Sequence, residues 1–237
     1  MKRVISIDMG TTLSEVSIVD QATGRPSLLA NQDGKTLIPT AVWYRQGEIV
    51  IGERALRAAV VHPDDVFTRF KPRLDDPDIR FGSHAPTELV SEVLKHLKVM
   101  AEARLGKEVA SAVITVPAWM QHTGRQVIQD GAVLAGLKPE RLVNEPVAAA
   151  HLYALDCSGE VGDIFTVVDP GGGTTDASVV EHSSAGGRVL ASSGDMLLGG
   201  QDLDRAVLEW WREQWMAEFG EDPLTDPAVI ADWILRA

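Results

Sequence analysis

The chain has 237 residues, of which 45% are apolar and 24% are charged, as in an ordinary soluble globular protein. Its formal net charge of −12 argues against a nucleic-acid-binding surface and against an anionic membrane as partner. A nucleotide stays compatible with this charge, because it needs only local donors and a metal ion. A single cysteine, Cys157, leaves no internal disulfide and suits a reducing cytoplasm, and we find no signal-peptide or membrane-spanning pattern.

The first predicted element is a strand–turn–strand unit. Apolar residues 4–7 lead to Asp8, and the turn Gly10-Thr11-Thr12 separates them from a second, alternating strand. A glycine turn between two short strands predicts a β-hairpin. A single unit of this kind is more often an ordinary hairpin than a binding site.

The elements that follow are mixed. A strand is predicted at 41–44, a short helix opens at 52–55, and residues 70–86 form a proline-rich loop. Apolar residues then recur at helical spacing over 89–105. This spacing predicts a long helix that ends at Gly106.

The middle of the chain alternates strands with helices. A buried strand is predicted at 112–116, and the next helix has Thr123 and Gln126 at capping-box spacing. A short strand and an alanine-rich helix lie within 142–155, and residues 156–163 are the best candidate for a linker. The residues expected on the core face of the capped helix are Val127, Val133 and Leu134. The alternation predicts a mixed α/β class.

The strand–turn–strand unit then recurs. Apolar residues 165–168 lead to Asp169, the glycine turn covers 171–173, and Thr174 and Asp176 open the second strand. Glycine lacks a Cβ, so such a turn can adopt a positive φ and bring its N–H groups close to an anion. Threonine hydroxyls add donors, and each aspartate can hold a hydrated Mg2+. Two such hairpins facing each other across a cleft would grip a phosphate chain from both sides.

The last part of the chain predicts two helices. The first covers 202–219, and the second is expected to begin at Asp226. An apolar stripe on the first helix is most simply explained by core packing, and a groove for a partner is the alternative. The residues of this stripe are Leu203, Val207, Trp210, Trp211, Trp215 and Phe219.

These blocks together resemble the N-terminal ATPase domain of the 70-kilodalton heat-shock chaperones, the Hsp70 family, within the actin and sugar-kinase superfamily. The blocks that carry the resemblance are 7–12, 112–117, 126–136, 143–150, 169–176 and 194–202. The resemblance implies an α/β fold of the actin-like ATPase (ribonuclease H-like) type. It places lobe I at 1–157, with a smaller subdomain at 39–84, and the first, incomplete part of lobe II at 158–237.

The resemblance also implies roles for single residues. Asp8 and Asp169 would hold Mg2+ through its waters, with Asp176 near the ions. Lys71 matches a lysine that points at the γ-phosphate, and Glu145 matches a carboxylate near the attacking water. The implied catalytic residues are Lys71, Glu145, Asp169 and Thr174. The implied nucleotide-binding residues are Gly10, Thr11, Thr12, Gly171, Gly172, Gly173, Thr174, Gly199 and Gly200.

The function implied is slow hydrolysis of ATP to ADP and phosphate, with Mg2+ and K+ as candidate ions. In this family, hydrolysis acts as a timer for a separate peptide-binding domain. The partners implied are the nucleotide, a J-domain co-chaperone and a nucleotide exchange factor. Neither a nucleic acid nor a membrane is expected as a partner, and a cytoplasmic location is expected.

Several features depart from the family pattern. The adenine clamp and the peptide-binding domain of the family have no counterpart in these 237 residues, so this chain alone is expected to bind no clients. Pro170, Thr175 and Gln201 replace residues that are usual in the family. Two alternatives stay open: a non-catalytic interaction module on the same fold, and a sugar-kinase-like or filament protein. The sequence Asn144-Glu145-Pro146 speaks against the last of these.

Overall fold

The computed structural model describes residues 3–45, 47–184, 186–225 and 229. Strands and helices alternate, as the sequence predicts. The strands are β1 (Arg3–Met9), β2 (Leu13–Val19), β3 (Pro26–Leu28), β4 (Ile38–Pro39), β5 (Ala41–Arg45), β6 (Glu48–Ile51), β7 (Val66–Thr68), β8 (Val109–Val116), β9 (Lys138–Asn144), β10 (Ile164–Pro170), β11 (Thr175–Ser183) and β12 (Gly186–Asp195). The helices are α1 (Glu53–Ala58), α2 (Pro86–Leu105), α3 (His122–Leu134), α4 (Glu145–Asp156) and α5 (Gly200–Phe219), with 3₁₀ turns at Lys71–Arg73 and Pro223–Thr225.

The main sheet has the order β3-β2-β1-β8-β9, and β4 also pairs with β2. Strands β1, β8 and β9 run parallel to one another, while β2 and β3 are antiparallel to their neighbours. The carboxyl ends of the three parallel strands therefore meet at one edge. In open α/β sheets, ligands bind at that edge.

Helix α2 covers the main sheet and supplies much of its core, including the fully buried Leu89, Leu94 and Leu97. The helix begins with Pro86, whose missing N–H is harmless in the first turn. It ends where Gly106 adopts a left-handed conformation with φ 62°. The predicted long helix and its end at Gly106 are both confirmed.

Helix α3 differs from its prediction in two respects. Its start is capped from outside by Asp75, whose carboxylate accepts hydrogen bonds from the N–H groups of Gln121 (3.0 Å) and Gly124 (2.8 Å). The predicted capping box is wrong, because Thr123 already lies inside the helix. The predicted core face is also wrong: Val133 and Leu134 are exposed, and Val127 is only partly buried. The buried residues of α3 are Gly124, Ile128, Gly131 and Ala132.

Small residues explain why α3 buries a different face from the predicted one. A Cβ added to Gly131 would lie 2.5 Å from Cγ1 of Val90, so α2 and α3 pack backbone against side chain at this point. A hydrophobicity pattern cannot recognise a glycine as the contact residue of a helix. The larger apolar residues Val133 and Leu134 are left on the outside.

A second sheet has the order β10-β11-β12 and is antiparallel throughout. Helix α4 packs on it through Val147 and Ala150, which form a small core with Val180. The predicted lobe boundary near residue 157 stays a prediction; helix α4 precedes that boundary and faces the second sheet. A third, small sheet, β6-β5-β7, lies within the predicted subdomain 39–84.

Helix α5 confirms the predicted helix over 202–219, but the predicted burial of its apolar stripe is wrong. Leu208 is its only buried residue among those described, and Leu203 (66%), Trp210 (56%) and Phe219 (54%) are largely exposed. Among the described elements, the main contact of α5 is with the 3₁₀ turn at Pro223–Thr225, so its apolar stripe covers neither sheet. The helix predicted to begin at Asp226 lies outside the described residues. Over the described part of the chain, no helix is long and apolar enough to cross a bilayer.

The Gly131 contact generates a stability prediction. Glycine to alanine in a helix normally stabilises by up to about 1 kcal/mol. We expect the opposite sign for Gly131→Ala, a loss of about 1–3 kcal/mol in the free energy of unfolding, because the new methyl group overlaps Val90. Chemical denaturation followed by circular dichroism measures the change.

Ala103→Gly, on the exposed side of α2, calibrates the intrinsic helix preference in the same protein. An increase in stability for Gly131→Ala would show that the two helices do not pack closely at this position.

Candidate functional site

The two predicted hairpins share one geometry. In the first, the N–H of Gly10 donates to the carbonyl of Leu13 (3.0 Å). In the second, the N–H of Gly171 donates to the carbonyl of Thr174 (2.8 Å). The strand registers correspond as well, since Asp8 pairs with Glu15 and Asp169 pairs with Asp176. The internal repeat of the sequence is therefore a repeat of structure.

The glycines of the two bends serve close approach rather than unusual backbone angles. The described glycines with positive φ all lie elsewhere, so the expected positive φ at the bends is wrong. A Cβ on Gly10 would instead overlap the carbonyl oxygen of Leu13, and a Cβ on Gly172 would overlap the hydroxyl of Thr12. A side chain is excluded at these positions by contact.

The same contacts bring the two bends together. The hydroxyl of Thr12 lies against Gly172, and Cγ2 of Thr11 would lie 3.2 Å from a Cβ on Gly173. The prediction that the two bends come together is thus confirmed.

The turn before α5 supports the second bend. The N–H groups of Gly200 and Gln201 donate to the carbonyls of Gly171 and Gly172, each at 3.0 Å. The N–H of Gly199 donates to the carboxylate of Asp202 (2.9 Å). The backbone donors at 199–201 are therefore engaged inside the protein, and they hold the second bend in place.

A buried ion pair lies beside the cleft. Lys71 opens the 3₁₀ turn and is only 3% exposed, and its Nζ donates to Oε1 of Glu145 at 2.6 Å. Glu145 is the first residue of α4, directly after β9. Lys71 is therefore not the solvated loop charge that its polar surroundings in the sequence would suggest. The ion pair places a fixed positive charge at the carboxyl edge of the main sheet.

Carboxylates crowd this edge. Burial raises the pKa of Glu145, Lys71 opposes that rise, and the charges of Asp8 and Asp169 add to it. Partial burial, followed by the charges of Asp176 and Asp8, raises the pKa of Asp169, again against Lys71. The single positive charge of Lys71 does not balance the negative charges of these acids. A cation or additional donors would favour the ionised forms.

Residues missed by the sequence interpretation also surround Asp8. Thr115, on the neighbouring strand β8, donates its hydroxyl to Oδ1 of Asp8 (2.6 Å). Glu15 lies opposite Asp8 on β2, and burial followed by the charge of Asp8 raises the pKa of Glu15. The repeat contained a signal for Glu15, since it follows Asp8 at the same interval at which Asp176 follows Asp169.

Asp176 is held by two donors. Trp119 donates its indole N–H to Oδ2 of Asp176 (3.1 Å), and the buried Thr174 donates its hydroxyl to the same oxygen (3.2 Å). No sequence pattern pointed to Trp119 as a residue of the site. A small cleft opens beside this contact, and its lining residues are Pro117, Ala118, Glu145, Pro146, Val167, Asp169, Asp176 and Ser178.

Arg125 connects the turn after β8 to the edge of the main sheet. Its guanidinium donates to the carbonyls of Met120 (2.8 Å) and Pro117 (3.2 Å) and to the side-chain oxygen of Asn144 (2.8 Å). Asn144 immediately precedes Glu145. A single side chain thus fixes the turn at 117–120 relative to the start of α4.

The crowding of acids generates a prediction about pH. A carboxyl group whose pKa is raised in the folded state destabilises the fold as pH rises through the raised pKa. Asp169→Asn should therefore raise the melting temperature of the nucleotide-free protein in EDTA at pH 7.5. The gain should shrink as pH falls towards the ordinary aspartate pKa of about 3.9, where both states bind the proton. Calorimetry at several pH values measures this.

Glu108→Gln, at an exposed position, is the matched control and should show no such gain. A melting-temperature difference for Asp169→Asn that does not vary with pH would contradict the origin in carboxylate crowding.

Comparison with known proteins identifies the family of the chain. A family model described as Hsp70 protein matches residues 4–76 and 76–232. The chaperone protein DnaK of Metamycoplasma hominis is 35% identical over 230 residues, which cover 96% of this chain and 38% of that protein. The chain thus spans well under half the length of this curated relative. The mixed α/β fold with its central sheet agrees with an actin-like ATPase fold, and the chain belongs to the Hsp70 family.

Proposed function

We propose that the chain binds ATP with Mg2+ between its two facing hairpins and hydrolyses it slowly, as the nucleotide module of an Hsp70-type chaperone. The observation that carries this proposal is the contact of Thr11 and Thr12 with Gly172 and Gly173. Two bends rich in N–H and hydroxyl donors meet there, and donors from both sides suit a phosphate chain.

The phosphate chain is assigned to these bends. The first bend contributes Gly10, Thr11 and Thr12, and the second contributes the backbone at 171–173. Thr174 lies behind the second bend with its hydroxyl directed to Asp176. Gly199 and Gly200 belong to the site through their support of the second bend, because their N–H groups already have partners in the protein.

The acids fit a hydrated magnesium ion. Among the described residues no three His, Cys, Asp or Glu side chains converge tightly enough to hold a bare ion. Mg2+ commonly keeps several waters and binds one or two carboxylates together with phosphate oxygens. Asp8 and Asp169 would hold it through those waters, with Asp176 close by, and their charges offset the charge of the ion. K+ as a second ion is proposed from the family alone.

Hydrolysis is assigned to groups beside the cleft. When bound, Mg2+ neutralises charge on the phosphates. Lys71 is fixed by Glu145 and would stabilise charge on the γ-phosphoryl group. Glu145 and Asp169 would orient the attacking water. Turnover should be slow, because bound Mg2+, together with Lys71, would oppose the raised pKa values of Glu145 and Asp169 and leave neither a strong base.

The wider role is proposed from the relatives. The DnaK relative is named a chaperone protein, and this chain spans 38% of its length. We propose that the nucleotide state of this module sets the affinity of a chaperone for its clients. A J-domain co-chaperone and a nucleotide exchange factor would regulate it. A cytoplasmic location is proposed from the single cysteine, Cys157, which is free and exposed.

One observation favours a second function, that of a non-catalytic interaction module. Helix α5 presents Leu203, Trp210 and Phe219 to the outside, as a protein-binding surface would. The intact pair Lys71–Glu145 and the facing bends favour the first function over this one.

Isothermal titration separates the two functions. We expect the chain to bind MgATP with a dissociation constant below about 1 mM, and to bind AMP at least about tenfold more weakly. AMP lacks the β- and γ-phosphates that the bends are proposed to hold. EDTA should weaken ATP binding, because the acids would then face the phosphates without the ion. Absence of heat with millimolar MgATP would reject nucleotide binding by this chain.

Replacement of Lys71 tests the proposed chemistry. Lys71→Ala should lower the rate of ATP hydrolysis by about 100-fold or more, while the dissociation constant for MgADP stays within about threefold. The reason is that the lysine is assigned to the γ-phosphoryl group, which ADP lacks. A phosphate-release assay and a titration with MgADP measure the two quantities.

Stability must be measured alongside, because removal of one partner of a buried ion pair costs roughly 3–5 kcal/mol. Lys71→Met keeps most of the side-chain volume and should give the same loss of activity. Lys107→Ala, at an exposed position, is the control and should hydrolyse like wild type. Equal turnover by wild type and a folded Lys71 variant would remove Lys71 from the site.

A further inference from the structure

Trp119 contacts both sheets with a single side chain. Trp119 lies in the turn after β8, and its ring packs against the core of the main sheet. Its indole Nε1 donates to Oδ2 of Asp176, 57 residues further along the chain and on strand β11 of the second sheet, at 3.1 Å. The apolar body of the side chain therefore belongs to one sheet, and its single polar group reaches the other.

The turn that carries Trp119 is held in place on the side of the main sheet. The N–H of Met120 donates to the carbonyl of Pro117 (3.2 Å), which closes the turn around Trp119. Arg125 donates to the carbonyls of Met120 and Pro117, and Asp75 caps the helix that follows. A side chain locked by its neighbours can position another group accurately.

The acceptor has little freedom as well. Oδ2 of Asp176 receives the indole N–H and the hydroxyl of Thr174. A Cβ on Gly194 would overlap Oδ1, so only glycine at this position of β12 leaves room for the carboxylate. Asp176 is also the register partner of Asp169 and lines the same cleft. Among the residues that the structure describes, loss of the indole N–H would leave the hydroxyl of Thr174 as the only side-chain donor to this carboxylate.

We propose that Trp119 is a positioning residue, whose indole N–H fixes the carboxylate of Asp176 at the nucleotide cleft and makes that geometry depend on the distance between the two sheets. This inference rests on the proposed function. It adds that hydrolysis proceeds efficiently only when the second sheet is close enough for the hydrogen bond to form.

The test uses Trp119→Phe, which keeps an aromatic ring in the core and removes the N–H donor. We expect kcat for ATP hydrolysis to fall by about tenfold, with KM and the MgADP dissociation constant within about twofold. Trp210→Phe, on the exposed face of α5, is the matched control and should behave like wild type. A purely structural role of the ring would leave kcat unchanged in a folded Trp119→Phe protein.

A double-mutant cycle identifies Asp176 as the group through which Trp119 acts. If it does so, the variant that combines Trp119→Phe with Asp176→Asn should have the kcat of Asp176→Asn alone. Losses that multiply would overturn the inference, because the two residues would then act independently. A raised KM with unchanged kcat would overturn it as well.

A spectroscopic readout tests the contact without turnover. In a spectrum of ¹⁵N-labelled indole groups, the Trp119 signal is identified by its absence in Trp119→Phe. It should shift in Asp176→Asn, and an unchanged signal would overturn the inference. A wild-type chain that neither binds nor hydrolyses ATP contradicts the proposed function. A wild-type chain that turns over no faster than Trp119→Phe contradicts only the role of Trp119.

Discussion

The close approach of two glycine bends is the constraint on which the site depends. Thr12 lies against Gly172 at a distance that excludes a Cβ, so any side chain at that position would force the hairpins apart. Because Asp8 and Asp169 are the next-to-last residues of the strands that lead into these bends, the approach of the bends also draws the acids together. The raised pKa values of Asp169 and Glu145 follow from burial and from this crowding. The fold thus maintains an arrangement of charge that is unfavourable by itself and favourable towards a cation.

The ion pair of Lys71 and Glu145 also places charge at the site with little benefit to stability. A buried ion pair is weak support for a stabilising role, because its desolvation penalty often matches its Coulomb gain, and apolar residues of similar volume can replace it at little cost. Lys71 is 3% exposed and lies among carboxylates that exceed it in number. A pair that contributes little to folding, at the carboxyl edge of the parallel strands, is most simply explained by its charge. The same reasoning distinguishes Lys71 from the exposed lysines of this chain.

The sequence predicted those features that local patterns determine. The two hairpins and the end of α2 at Gly106 follow from residues only a few positions apart. The inward face of α3 could not be predicted, because it depends on Gly131 fitting against Val90 of another helix. The exposure of α5 was missed because an apolar stripe looks the same whether or not a core lies beneath it. The contact of Trp119 with Asp176 joins residues 57 positions apart, and no local pattern contains that information.

Two kinds of connection join the sheets. Helix α4 connects them along the chain. It begins with Glu145 at the edge of the main sheet and packs Val147 and Ala150 on the second sheet. The hydrogen bond from Trp119 and the contact of Thr12 with Gly172 are the noncovalent ones. A rigid-body shift of the second sheet would therefore pull at the helix that carries Glu145 and at the carboxylate held by Trp119. Groups from both sheets meet in one cleft, so the geometry of the site and the relative position of the sheets are linked in both directions.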